Sequence, residues 1–326
     1  MPAFVYAIPL RTRFRGVAVR EGVLMQGEGG WGEFSPFPDY RPQSCARWLA
    51  ACDEAADGVW PAPVRATVPV NVTIPAVRPE EAQALVRTSG GCRTAKVKVA
   101  EPDQPASADV ERVAAVRDAL GPGGAVRVDA NGAWDVDQAV TMIRQLDRFG
   151  LQYVEQPCRT LAEMAAVRRR VDVPLAADEG VRLAQDPERL AGLRSAADVV
   201  VLKVQPLGGV WAALRVAEAA GLPAVVSSAV ETSVGIAAGV ALAAALPELP
   251  YACGLGTVRL LRDDVASDPL VPVNGEIGVR APRVDISRLI NCRPADCSRT
   301  QWWWRRLTET RRYLAMTSTD SRERVR

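Results

Sequence analysis

The chain has 326 residues, of which 48% are hydrophobic and 24% charged, and its formal net charge is +2. That is enough chain for one large domain or two unequal ones, and so small a charge gives no electrostatic reason to expect nucleic acid or an anionic membrane as partner. There is no histidine, which excludes Ser-His-Asp and Cys-His catalysis and any zinc site built on imidazole.

Residues 1–66 read as a small α+β capping domain. FVYAIPL and GVLMQGEGGWGEFSPFP have the apolar, β-branched character of strands around a Gly-rich turn, and a helix is expected from about Ala46 to Gly58. The first residues, MPAFVYAIPLRTRFRG, lack the basic, apolar and cleavage regions of a signal peptide. No apolar run reaches membrane-spanning length. Seven cysteines, an odd number with Cys292 and Cys297 as the closest pair, suggest reduced thiols in a cytoplasmic protein.

From Thr67 the pattern changes. Short apolar runs at 68–74, 95–99, 126–130, 152–156, 174–178, 199–204, 224–229 and 251–256 alternate with seven helical stretches. Among the latter are Ser107–Leu120, Val136–Phe149, Pro187–Leu193, Val210–Ala220 and Ser233–Leu246. Such alternation predicts a parallel sheet closed as a (β/α)7β TIM-like barrel over 67–269. Residues 270–290 are expected to return to the N-terminal domain. The basic, Trp-rich tail 291–326 is expected to form a helix that packs its tryptophans on the body, with a disordered end.

The chemistry is carried by ionisable residues at the strand ends, where active sites of such barrels lie. Only three of the 40 Lys+Arg residues are lysine: Lys96, Lys98 and Lys203. Arginine cannot release its proton in a protein, so three lysines in an arginine-rich chain mark places where a titratable amine is needed. Lys96 and Lys98 share a face of the second strand; Arg127, Asp129 and Asn131 share a face of the third. Glu155, Asp178 with Glu179, and Lys203 follow on the fourth, fifth and sixth. Three carboxylates on consecutive strands, Asp129, Glu155 and Asp178, suggest a hard cation such as Mg²⁺. Lys98 and Lys203 are expected to face each other across a bound carboxylate substrate, where one amine removes the proton next to that carboxylate.

AKVKV, VDANGAW, VEQP, ADE and LKVQPLGG, in that order, resemble the motifs of the muconate-lactonising branch of the enolase superfamily. The resemblance spans roughly residues 1–285. It implies Asp129, Glu155 and Asp178 as ligands of Mg²⁺ (with Mn²⁺ as a substitute), Lys98 as the base and Lys203 as the opposed lysine that stabilises the enolate. Lys96 would lower the pKa of Lys98, and Asn131 and Glu179 would support the site from behind. Within the branch, RVDANGAW, VVSSAVETSVG (225–235) and CGLGT (253–257) are most similar to the o-succinylbenzoate synthase family. That implies substrate contacts from Arg127, Ser227, Ser228 and Gly254, and a covering loop from GVLMQGEGGWGEFSPFPDY. CGLGT departs from the family pattern, which carries an aspartate in this segment. A racemase of N-succinylamino acids or a dipeptide epimerase needs the same metal and lysines, and a non-catalytic barrel is the reading from another class. The oligomeric state stays open, with a monomer sufficient.

Overall fold

The computed structural model describes residues 2–14, 16–184 and 186–323, with side chains as far as Met316. The chain opens with a three-stranded antiparallel sheet, β1 (Ala3–Phe14), β2 (Val17–Gln26) and β3 (Trp31–Phe34), followed by α1 (Pro42–Asp57). The Gly-rich turn has a steric reason. A Cβ on Gly29 would stand 2.1 Å from the Asp57 carbonyl oxygen, and one on Gly32 2.0 Å from that of Cys52. Only glycine lets the hairpin lie this close to the helix backbone. Proline opens α1, and Gly58 closes it in the left-handed conformation.

After β4 (Thr67–Pro69) the barrel runs β5 (Val72–Ile74), α2 (Pro79–Arg87), β6 (Thr94–Lys98), α3 (Ala106–Leu120), β7 (Ala125–Asp129), α4 (Val136–Asp147), β8 (Leu151–Glu155), α5 (Leu161–Arg168) and β9 (Leu175–Ala177). It continues through α6 (Glu179–Arg182), α7 (Leu193–Ala196), β10 (Val199–Leu202), α8 (Val204–Leu207), α9 (Val210–Ala220), β11 (Ala224–Val226) and α10 (Ser233–Ala245). The strands from β5 to β11 form one parallel sheet in chain order. They are rich in valine and alanine and buried, as a barrel requires whose outer face is covered by helices and whose inner face packs on itself.

The eighth stave differs from expectation. Residues 251–256 form no regular strand; Cys253 bridges to Val70 and Gly254 to Ser227, and these single parallel bridges close the barrel. The chain turns off at once into a 3-10 turn, Gly256–Leu260. The helix expected at Pro187–Leu193 is also absent. That stretch is a series of turns ending at Gly192, whose φ of 82° breaks a right-handed helix, and α7 begins only at Leu193.

The segment expected to return to the small domain divides. β12 (Glu276–Gly278) pairs antiparallel with β4, whereas α11 (Ile286–Asn291) brings Leu289, followed by Cys292, into one apolar cluster with Tyr6, Ile8, Leu10 and Leu24. The tail forms α12 (Cys297–Glu323). Its Trp303 is fully buried, with its ring edge-on to Phe34 at 6.2 Å, in a cluster with Trp48, Leu49 and Leu307. The disorder expected at the very end concerns residues 324–326, outside the described ones. No helix among the described residues is long and apolar enough to cross a membrane.

Candidate active site

Alternation along β6 sends Lys96 and Lys98 to the same face, and parallel register sets Lys96 beside Arg127 and Lys98 beside Asp129. The next pairing sets Asp129 beside Glu155, and Glu155 beside Ala176, two residues before Asp178. The three carboxylates thus stand at one level, at the C-terminal ends of adjacent strands. Lys203 follows the end of β10, four staves round an eight-stave barrel from β6, which is the opposite side.

Each carboxylate is fully buried and hydrogen bonded by a different lysine, and Lys96 Nζ also stands 3.5 Å from Asp129 Oδ2. Lys98 Nζ donates to Asp129 Oδ2 at 2.5 Å, Lys96 Nζ to both oxygens of Glu155 at 2.8 and 2.9 Å, and Lys203 Nζ to Asp178 Oδ2 at 2.6 Å. Burial raises the pKa of Asp129, but Lys98 and Lys96 outweigh it and hold the carboxyl well below its ordinary range. Asp178 goes the same way, burial being overcome by Lys203 and Arg182. Glu155 ends near 7, because burial and the neighbouring charge of Asp129 exceed what Lys96 offsets. Burial alone would favour a neutral Lys96; Glu155 and Asp129 reverse this and hold it charged.

Asn131 accepts from Lys98 Nζ at 2.9 Å and donates to Glu179 Oε1 at 3.2 Å. Its left-handed φ of 49° carries the chain away from the strand end so that its side chain turns back. Arg182, absent from the sequence-based expectation, joins the set: Nε donates to Asp178 Oδ1 at 3.0 Å, Nη2 to Glu179 Oε1 at 2.7 Å and Nη1 to the Tyr40 hydroxyl at 2.6 Å. Gln156 was missed as well; its Oε1 accepts from the backbone N–H of Asp178 and of Gly180. Arg112 fixes the backbone from behind, donating to the Lys98 carbonyl at 2.9 Å and to Asp109 at 2.7 Å. Its i,i+3 pair inside a buried helix face was the available signal.

A small cavity of about 20 Å³ is lined by Lys96, Lys98 and Lys203, by Thr73, Ser227, Ser228, Gly254 and Thr257, and by Phe14 and Phe37. Ser227, Ser228 and Gly254 therefore stand on the cavity wall. Arg127 does not. It is fully buried between Tyr153 and Tyr251, donating to Gln152, Asn71 and the Ala252 carbonyl. Arg127 is level with Lys96 in the parallel register, but its guanidinium turns to the two tyrosines and away from the cavity. Of the segment 22–40 expected to cover the site, residues 22–34 mostly form the β2–β3 hairpin and Phe37 reaches the cavity, joined there by Phe14 at the end of β1. The Phe14 ring centroid lies 5.1 Å from Lys98 Nζ.

The donor chemistry fits a divalent cation. Asp129, Glu155 and Asp178 present oxygen only, and they are close enough that Asp129 and Asp178 both raise the pKa of Glu155. Among the described residues no three such side chains are gathered around one point, each carboxylate being paired with its lysine.

Family models described as enolase N-terminal domain-like and enolase C-terminal domain-like match residues 5–56 and 78–283. The o-succinylbenzoate synthase of Thermobifida fusca (strain YX) is 69% identical over 287 residues, covering 88% of this chain and 89% of that protein. That of Mycobacterium tuberculosis (strain ATCC 25177 / H37Ra) is 49% identical over 302 residues, covering 92% and 90%. Two solved structures share the fold: muconate lactonizing enzyme from Pseudomonas fluorescens, with TM-score 0.74 and 21% identity over 90% of this chain and 98% of that one, and the L-Ala-D/L-Glu epimerase from Bacillus subtilis, with TM-score 0.73 and 23% identity over 87% and 96%.

Proposed function

We propose that this chain, which belongs to the enolase superfamily and within it to the o-succinylbenzoate synthases, eliminates water from 2-succinyl-6-hydroxy-2,4-cyclohexadiene-1-carboxylate. The product is o-succinylbenzoate, and the enzyme is a lyase of menaquinone synthesis. One observation carries the reading: the three lysines of the chain all line one cavity, and each pairs with a different one of three buried carboxylates.

Asp129, Glu155 and Asp178 would hold a divalent cation, Mg²⁺ or in its place Mn²⁺. When bound, such an ion adds positive charge beside the substrate carboxylate and acidifies the adjacent C–H. Lys98 takes that proton as its amine. It then returns it to the hydroxyl leaving the neighbouring ring carbon, so that one proton and one hydroxide depart as water and the ring becomes aromatic. Lys203, on the opposite side, stabilises the negative charge without moving a proton. Lys96, next on the face of Lys98, lowers the basicity of that amine by like-charge repulsion. Asn131 and Glu179 hold the amine and its surroundings in place. Ser227, Ser228 and Gly254 contact the succinyl tail, and Phe14 and Phe37 exclude water from the reacting face.

All residues named come from one chain, so a monomer suffices. The seven unpaired cysteines suit a reducing, cytoplasmic setting. The opposed lysines also suit a second activity, racemisation of N-succinyl amino acids, in which both would transfer protons. Incubation with Mg²⁺ and the cyclohexadiene carboxylate, with an EDTA control, tests the main reading: metal-dependent aromatisation supports it. No turnover, with deuterium entering N-succinyl amino acids in both stereochemical senses, moves the assignment to a racemase.

A further inference from the structure

The loop Ser35–Arg41, between β3 and α1, closes the cavity with Phe37 and reaches the carboxylate side through Tyr40; within it the Tyr40 N–H donates to the Phe37 carbonyl at 3.0 Å, and the rings of Phe37 and Tyr40 pack edge-on against each other and against Trp48. Pro36 and Pro38 bring no N–H, and no strand pairs with it. Its carbonyls need further donors from elsewhere. Arg20 Nη2 donates to the Ser35 carbonyl and the Cys45 N–H to the Arg41 carbonyl; one further side chain spans the middle of the loop. Arg306, on α12, donates through Nη2 to the Phe37 carbonyl at 2.8 Å and to the Tyr40 carbonyl at 2.7 Å, and through Nη1 to the Pro38 carbonyl at 3.3 Å. Arg306 is 8% exposed, and its guanidinium lies 4.8 Å from the Trp302 ring centroid and 5.9 Å from that of Trp303.

The two aromatic residues held in this way point to different parts of the site. Phe37 lines the cavity, with the Arg20 guanidinium 4.9 Å from its ring centroid. The Tyr40 hydroxyl accepts from Arg182, which binds Asp178 and Glu179. The helix that carries Arg306 lies beyond the residues matched by the family models.

We propose that α12 is a strap that shapes the active site, and that Arg306 is a positioning residue acting through loop 35–41. Through Phe37 it sets the cover of the substrate cavity; through Tyr40 and Arg182 it sets the Asp178 carboxylate. The proposal rests on the reading of this cavity as the active site, but its first test needs no substrate. Amide hydrogen exchange of the full-length, metal-free protein should show residues 35–41 exchanging about tenfold faster in Arg306→Ala, with the barrel strands unchanged. The same variant should bind Mg²⁺ several-fold more weakly and show a KM raised about tenfold, with kcat changed less. Arg306→Lys should recover part of the loss, since an ammonium lacks the planar fork that spans several carbonyls. Arg311→Ala, which breaks only the outer contacts of α12 with Asp53 and Met25, should match the parent. Tyr40→Phe should reproduce the loss in Mg²⁺ affinity, and adding Arg306→Ala to it should cost little more affinity.

Unchanged exchange in 35–41 with unchanged KM in Arg306→Ala would overturn the proposal. So would faster exchange spread evenly through the barrel, which would mark a loss of stability alone. If Arg306→Ala does not fold, Tyr40→Phe decides: normal Mg²⁺ affinity there refutes the link to Asp178. Absence of turnover on the cyclohexadiene carboxylate, with the exchange result as expected, would count against the proposed reaction and leave the strap standing.

Discussion

Lys98 and Asp129 are register partners on β6 and β7, and Nζ of one stands 2.5 Å from Oδ2 of the other. An ion pair at this separation favours the protonated amine, and a protonated amine is no base. The proposed reaction therefore requires the carboxylate to find another counter-charge first, which is what a divalent cation held by Asp129, Glu155 and Asp178 would provide.

Lys98→Ala is expected to lower kcat by about 10²–10⁴-fold, the usual share of a general base. Lys98→Arg should fail comparably, because guanidinium keeps the charge but cannot take the proton. Absorbance of the aromatic product gives the rate, and circular dichroism checks the fold. Normal turnover in either variant would remove Lys98 from its assigned role.

Arg182 donates to both Asp178 and Glu179. Arg182→Ala should weaken Mg²⁺ binding by about 10–100-fold, the range seen when groups that orient a metal ligand are removed. Asp178→Asn should do at least as much. The dependence of Tm on Mg²⁺ concentration reads both. An unshifted dependence in both variants would place the ion elsewhere.

Glu231 is buried at the barrel rim, and burial together with the charge of Glu33 lifts its pKa from 4.5 to about 7 against the pull of Arg20. Between these values the folded state keeps a proton that the unfolded chain has released. The stabilising contribution is thus complete below about pH 4.5 and is lost as pH rises through 7. Glu231→Gln, which cannot ionise, should flatten the profile. The stability difference between variant and parent should grow by roughly 1–3 kcal/mol from pH 5 to pH 8. Parallel urea-unfolding curves at the two pH values would show that Glu231 does not titrate in this window.

Gly254 lies on the cavity wall, and a Cβ placed there would stand 2.5 Å from Ser227 Oγ. Gly254→Ala should force that hydroxyl aside and raise KM by roughly tenfold, with a smaller effect on kcat. A KM equal to the parent's would mean that the succinyl tail is bound elsewhere.

Trp303 fills the junction of α12 with α1 and β3 at 0% exposure. Trp303→Ala should cost about 3–5 kcal/mol, the range for large aromatic-to-alanine changes in a core. Urea midpoints at fixed Mg²⁺ measure it, and a loss below about 1 kcal/mol would mean that α12 contributes little to the stability of the body.

Much of the fold and of the ionisable set was legible because both rest on local regularities. Apolar runs at even spacing mark parallel strands, and alternation with period two assigns Lys96 and Lys98, or Arg127 and Asp129, to a common face. The scarcity of lysine marked three positions, and all three lie on one cavity. The direction of a buried side chain was not legible: Arg127 and Asp129 share a face, yet one is stacked between tyrosines and the other pairs with Lys98. Nor was the eighth stave, whose glycine-rich stretch keeps only two bridges.

What the sequence by itself determined is the barrel, the order of its strands and the inventory of carboxylates and amines, since these follow from the period of the chain and the chemistry of single residues. Tertiary structure alone decided which distant groups complete the site. Phe14 and Phe37 reach the cavity from the small domain, Arg182 binds Asp178 under the hydroxyl of Tyr40, and Arg306 holds a loop 266 residues away at its Tyr40 contact. No periodicity encodes such contacts, because they depend on how loops and a terminal helix pack once the core has formed.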